Sequence, residues 1–287
     1  MIGYILRKLI ALLATFLVAA ALIFWLLSFA PAAPDAPMSL GFADWLRTLI
    51  TGDFGASGSS LGAALGVTLP LCLIAIVLSV AVSLPLGYAA AQRRGALLDR
   101  MLMAVARVGV ALPSFWLGMV LVLLFAVLLR WLPPGGFVPW QDNPLAALGS
   151  LILPAFALAL PQAAVLARAT RDALVEVQQA DFIRAAQARG LTRHEAIRRH
   201  GLRNSLLAVL AILGASLAAL IAGAVIVENV FYLPGLGRLI FDAINLRDVA
   251  LVRSSVAILV LLLIGTMFLA DLLVGWVDPR RRVRRRE

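Results

Sequence analysis

Stretch after stretch of about twenty residues in this chain carries no charged side chain, and such runs suit few folds. Leu9–Phe29, Val108–Leu129, Leu145–Ala167 and Ser205–Val227 hold no Asp, Glu, Lys or Arg. Another lies within the uncharged stretch Leu61–Ala91, from about Leu69, and the last, Ser254–Val277, is interrupted only by Asp271 near its end. A helix rising ~1.5 Å per residue needs about 20 residues to cross ~30 Å of hydrocarbon, so each run is one candidate span. Barrel strands would alternate polar and apolar residues over ~10 positions, which these continuous runs do not. Only 14% of the residues are charged, too few to cover a soluble domain of 287 residues. The expectation is an all-α integral membrane protein with a single transmembrane domain over residues 1–287. Its six helices are placed at about 9–29, 69–91, 108–129, 145–167, 205–227 and 254–277.

An even number of spans puts both termini on one side. Twenty of the 25 basic residues fall on the termini and the even-numbered loops, from Arg7 and Lys8 to Arg280–Arg286. The opposite loops keep Arg47, Arg130, Arg238, Arg247 and Arg253. An excess of Lys and Arg marks the cytoplasmic side, so both termini are expected there. Trp25, Trp131 and Trp276 fall near span ends, where an amphipathic ring suits the headgroup layer. The net charge of +10 is therefore explained by topology. No aromatic-interleaved basic groove points to nucleic acid, and the Arg280–Arg286 cluster suits anionic lipid. The apolar run at the N-terminus is longer than the ~7–15 residues of a signal peptide, which favours a first span. Cys72 is the sole cysteine, within a span, so no disulfide framework or thiol metal site arises. His194 and His200, set among arginines, do not form a convincing metal pair.

In the first outer loop, Phe42, Trp45, Leu46, Leu49 and Ile50 recur on one face of a helix, which predicts a short interfacial helix. Val230–Leu251 mixes aromatics with Pro234, Gly235 and Gly237 and reads as a structured connection. Pro70, Pro85, Pro113, Pro154 and Pro161 lie inside spans, either as hinges or as ordinary membrane-helix usage, which we prefer for any single one. In the fifth span Gly214, Ala218 and Ala222 make one small-residue face and Ala215, Ala219 and Gly223 another. Such faces permit close packing against a partner, a sibling helix or a translocation path.

The cytoplasmic loop Arg168–Asn204 is 37 residues long and carries eight arginines and the acids Asp172, Glu176, Asp181 and Glu195. Connections between packed helices usually span ~2–8 residues, so this one is either functional or unstructured. Its pattern is structured. Ala180–Arg189 is rich in helix formers, Gly190 supplies a stop, and Thr192-x-x-Glu195 is a capping box that restarts a helix. A short helix, a glycine turn and a second helix below the membrane would suit docking of a soluble partner. A merely solvated, positive loop is the other reading.

The segment Asp181-Phe-Ile-Arg-Ala-Ala-Gln-Ala-Arg-Gly-Leu-Thr192, followed by Arg199-His-Gly-Leu-Arg-Asn204, closely resembles the coupling loop of binding-protein-dependent ABC importer permeases. More narrowly it looks like the dipeptide/oligopeptide/nickel permease family. Those permeases carry Glu-Ala-Ala, three residues and Gly; here Ala185, Ala186 and Gly190 match, and Arg184 stands at the Glu position, as is common in this subfamily. Tyr4–Arg7, Gly52–Gly55, Leu112–Gly118, Glu228–Phe231, Pro234–Arg238, Arg247-Asp248 and Asp278–Arg280 resemble further signatures of the family, in order along the chain. The first two favour the first of the two permease types that such systems pair. The Pro-Gly-Asp-Pro-like element expected after the first span is reduced to Ala30-Pro-Ala-Ala-Pro34.

The resemblance implies a type I ABC importer-like permease in the bacterial cytoplasmic (inner) membrane. It would pair with a second permease subunit and work with two cytoplasmic ATPase subunits and an extracytoplasmic solute-binding protein. The ATPase-coupling residues are then expected to be Asp181, Arg184, Ala185, Ala186, Arg189, Gly190, Leu191, Thr192 and Glu195. Peptides are the expected solute class, with nickel or another small solute as the alternative. No cofactor is expected in this chain. A P-loop needs Gly-x-x-x-x-Gly-Lys-Ser/Thr, and the sole lysine is Lys8, so ATP is expected on partner subunits. A self-sufficient secondary transporter would place charged side chains near the membrane midplane, and the first five spans hold none. A membrane-embedded enzyme would need a His/Asp/Glu cluster inside the spans, and we find none.

Overall fold

A computed structural model describes residues 2–30, 41–52 and 57–277, and all its regular structure is helical. The chain runs through α1 (Ile2–Leu27), α2 (Phe42–Thr51), α3 (Ser57–Gln92), α4 (Leu97–Ala111) and α5 (Ser114–Leu121), which continues as a π-helical stretch, Val122–Leu128. It goes on through α6 (Pro144–Val177), α7 (Asp181–Ala188), α8 (Arg193–Ala196), a π turn, α9 (Leu202–Val230), α10 (Leu236–Asn245) and α11 (Val249–Val277). The motif pieces Ala30–Pro34, Gly52–Gly55 and Asp278–Arg280, and the Arg280–Arg286 cluster, lie wholly or largely outside the described residues.

Among the described residues, α1, α3, α6, α9 and α11 are each long and apolar enough to cross a membrane. The expected third span differs. Between α4 and α5 the axis turns through 102°, so Val108–Leu129 is not one rod. Pro113 is the cause: its ring disfavours the helical region for the residue before it, and Leu112 is accordingly extended (φ −82°, ψ 125°). Pro70, Pro85, Pro154 and Pro161 stay inside continuous helices. The second helix also starts earlier than expected, at Ser57.

The core forms where α3, α6 and α9 meet. Leu71, Ala75, Leu151, Ala155, Leu158, Leu220 and Ala224 are buried there, small residues letting the backbones approach. At Gly87 a Cβ would stand 2.6 Å from Thr170 Cβ and 2.7 Å from the Ala167 carbonyl, so α3 crosses α6 in contact. The two small-residue faces of α9 meet siblings. Gly214 abuts Ala270 of α11, and Gly223 sits under Leu158 of α6 and Ser114 of α5. Gly214→Val is expected to destabilise the protein by about 1–3 kcal/mol through overpacking. Thermal unfolding in detergent checks this; an unchanged midpoint would show that the crossing can open freely.

α1 packs mainly on α11, from Tyr4 and Lys8 beside Asp271 to Ala20 and Phe24 beside Ala257 and Arg253. Tyr4 Oη donates to the Asp271 carbonyl at 3.2 Å, and Lys8 pairs with the Asp271 carboxylate. α2 does not merely lie on a surface. Its Trp45 is buried among Ala20, Phe24 and Ala257, and Trp45 Nε1 donates to Ser254 Oγ at 3.4 Å. Arg253, counted above with the outer loops, is buried on α11, its guanidinium 4.1 Å from the centre of the Phe24 ring.

Candidate functional site

The end of the bundle at which α6 finishes and α9 begins carries the expected coupling residues. Ala180, extended at φ −70° and ψ 146°, opens α7, and Asp181 sits in its first turn. An acid there complements the partial positive charge of the helix N-terminus. One face of α7 turns inward: Ile183 and Ala186 are buried with Ala196, Val177 and Leu191. The other face is open, with Phe182, Arg184, Ala185 and Arg189 exposed. Arg184 Nη2 donates to the Gln179 carbonyl at 3.2 Å, and Arg189 Nε to the Ala185 carbonyl at 3.3 Å.

The glycine turn closes as a Schellman motif. Leu191 N–H donates to the Ala186 carbonyl at 3.3 Å and Gly190 N–H to that of Gln187 at 2.9 Å. Gly190 holds φ +93°, which costs a residue with a Cβ and costs glycine nothing. The capping box then forms as expected: Glu195 N–H donates to Thr192 Oγ1 at 3.3 Å, and Thr192 N–H to Glu195 Oε2 at 3.0 Å. The nine expected residues therefore share one element, a short helix and a sharp turn fixed on the last turn of α6. Its apolar face is spent on the bundle and its charged face is free.

A second constellation joins α6 to the α3–α4 hairpin at this same end, and the sequence had not marked it. Arg171 Nε donates to Asp99 Oδ1 at 3.1 Å and Nη2 to Oδ2 at 2.9 Å. Gly95 N–H reaches Asp99 Oδ2 at 2.9 Å, and Asp99 is buried. Gln178 Nε2 donates to the Ala91 carbonyl at 3.3 Å beside it.

The third constellation occupies the opposite end. α9 runs three residues past the expected limit, and this brings Glu228 into the bundle with no exposed surface. Thr68 of α3 donates its hydroxyl hydrogen to Glu228 Oε1 at 2.6 Å and accepts Leu236 N–H at 2.9 Å. Gly237 N–H donates to Glu228 Oε2 at 2.7 Å. One carboxyl thus ties α3, α9 and the start of α10. Phe231 follows, fully buried over Gly118, and its carbonyl accepts Gly136 N–H at 2.8 Å. The acid was legible as part of Glu228–Phe231, yet the hydropathy run ends at Val227 and left it outside the span.

These helices, with a linked helix pair at one end, define a multi-pass membrane protein. The model of the family described as "Binding-protein-dependent transport system inner membrane component" matches residues 83–283, a stretch that includes the first two constellations and all of the third except Thr68. A peptide transport system permease protein of Brucella abortus is 39% identical over 255 residues, covering 86% of this chain and 81% of that one. The oligopeptide transport system permease protein AppB of Bacillus subtilis is 35% identical, covering 85% and 80%. The dipeptide transport system permease protein DppB of Bacillus subtilis is 32% identical, with 100% of each chain covered. Among solved structures, a chain of the MetNI methionine ABC transporter, inward facing, has the same fold (TM-score 0.63, 20% identity, 76% of this chain and 96% of that one). The chain belongs to this family of binding-protein-dependent transport components, as a permease of an ABC importer in the bacterial inner membrane.

Proposed function

We propose that this permease imports peptides, as the first permease type of a pair, with both termini and α7 facing the cytoplasm. A second permease subunit completes the path, two ATPase subunits bind below it, and an extracytoplasmic binding protein delivers the solute. Three of the relatives named above are permeases of peptide, oligopeptide and dipeptide systems, which supports the solute class.

The observation that carries the mechanism is the two-faced α7. Ile183 and Ala186 hold it to Val177, while Phe182, Arg184, Ala185 and Arg189 stay open to a soluble partner. A helix fixed in this way moves as a unit with the end of α6. ATP-driven closure of the ATPase pair draws α7 inward and opens the path to the outside, and hydrolysis resets it. Asp181, Arg184, Ala185, Arg189 and Gly190 form the docking side; Ala186, Leu191, Thr192 and Glu195 hold its shape. Energy enters through the partners, since the sole lysine, Lys8, lies outside any phosphate-binding loop pattern.

The test is to purify tagged protein from native membranes in mild detergent and identify the accompanying chains. A second permease and ATPases are expected, and their binding protein can then be screened against di- and oligopeptides and nickel. This chain alone, transporting without ATP, would replace the reading with a secondary transporter. Gly190→Val places a β-branched side chain at φ +93°, a strain of roughly 1–3 kcal/mol. We expect normal membrane insertion but at least about tenfold weaker ATPase association, each ~1.4 kcal/mol being one decade. Full association with unchanged uptake would remove the turn from the docking surface.

A further inference from the structure

The fork between Arg171 and Asp99 has no part in the docking scheme above, yet its placement is mechanical. Two parallel hydrogen bonds, 3.1 and 2.9 Å, fix orientation as well as separation. Asp99 is buried and Arg171 half-buried; desolvation offsets the attraction in such a pair, so its geometry is the better guide to its use. It binds the first turn of α4 to α6 at a point six residues before α6 ends at Val177. Val177 is one of the residues against which α7 packs, with Ala196 and Leu191.

From Asp99, α4 runs beside α6, with Gly109 against Ala164, until Leu112 and Pro113 turn the axis by 102°. Beyond the turn α5 carries Gly118 under the Phe231 ring, so closely that a Cβ there would stand 2.9 Å from Phe231 Cε2. Phe231 lies three residues beyond Glu228, whose carboxyl holds the start of α10. The elbow α4–α5 is thus gripped in the first turn of α4 and again within α5. One grip is a charged fork six residues before the end of α6, and the other is an aromatic ring, that of Phe231, seated on Gly118. A two-bond fork adds resistance to shear, because both bonds must break together.

We propose that Asp99 and Arg171 are positioning residues that make the α4–α5 elbow a bell crank. Displacement of α7 with the end of α6 passes through the fork to α4, and through the Pro113 turn to α5 and the Glu228 end. This rests on the reading of α7 as the element on which an ATPase docks.

The experiment uses the complete importer with its binding protein, reconstituted in proteoliposomes, and reads ATP hydrolysed per solute imported. Arg171→Lys keeps the charge and loses the fork; Asp99→Asn keeps the shape and loses the charge. Both are expected to assemble with the ATPases yet raise the ratio roughly twofold to thirtyfold, the span of measured coupling effects. In a Cys72→Ala background, Asp99→Cys with Arg171→Cys should be uncoupled when reduced. It should regain coupling when a bifunctional thiol reagent bridges the pair. A pair that only stabilises would change the amount of assembled complex and leave the ratio alone. An unchanged ratio, a bridge that restores nothing, or assembly lost in step with uptake overturns the proposal. The wild-type complex separates the two levels. If it shows no ATPase partner, the docking reading fails; if it is coupled and the variants are equally coupled, only the crank fails.

Discussion

Glu228→Ala is expected to lower the thermal unfolding midpoint of the detergent-solubilised permease by about 6–12 °C, at ~2–4 °C per kcal/mol for a chain of this size. Two groups lose their acceptor at once. Gly237 N–H and the Thr68 hydroxyl both donate to this carboxyl, and Glu228 has no exposed surface through which water could replace it. Each buried donor left unmade costs about 1–3 kcal/mol, so roughly 3 kcal/mol is a moderate expectation before any cavity term. Glu228→Gln should lose less. One oxygen can still accept, but the new NH2 group must face either Thr68 Oγ1 or the Gly237 N–H, and only the first offers a lone pair. Thr68→Val should fall between them, since it strands Leu236 N–H and removes one donor to the carboxyl. A series in which all three variants melt with the wild type would show that the carboxyl is not the tie between α3, α9 and α10.

The parts of this protein that repeat a simple physical pattern were legible in its sequence. Charge-free runs predicted the long apolar helices, and the helix, glycine and capping box of the loop at 180–195 predicted a turn that the hydrogen bonds reproduce atom by atom. The boundaries were less legible, because hydropathy reports where apolar residues stop and helices do not stop there. α9 carries Glu228 because Thr68 and Gly237 supply the partners that a lone acid would lack, and those partners are 160 and nine residues away. Arg171 was one of eight arginines in a loop assigned by charge, yet it lies in α6, facing a buried aspartate 72 residues earlier. Proline was ambiguous for a related reason. Pro70, Pro85, Pro154 and Pro161 leave their helices unbroken, whereas Pro113 ends one, and no local composition separates the cases. Pairings between distant segments settle such questions, and one sequence alone does not display them.

Gly237→Val and Gly235→Ala should both dislodge α10 from α9, and for different reasons that a double-mutant cycle separates. At Gly237 a Cβ would meet backbone, standing 2.6 Å from the Val225 carbonyl oxygen and 2.9 Å from its carbon. Backbone inside α9 cannot yield without breaking the helix, so the first turn of α10 must lift, and the Gly237 N–H leaves the Glu228 carboxylate. A loss of about 3 kcal/mol or more is expected, the upper end of overpacking. At Gly235 the obstacle is the Glu228 carboxyl itself, the end of a side chain, and the backbone there is ordinary at φ −94°. Gly235→Ala is therefore expected to cost about as much as it costs to displace that carboxyl, roughly 2–3 kcal/mol. Combined with Glu228→Ala the obstacle is gone, so the pair of substitutions should cost at least about 1 kcal/mol less than the sum of the singles. Gly237→Val with Glu228→Ala should show a smaller rescue, because Val225 is still in the way. Unfolding midpoints of the three single and two double variants decide it. Equal rescue in both cycles would mean that α10 rests on α9 through the carboxyl alone and that the glycine–backbone contact carries no weight.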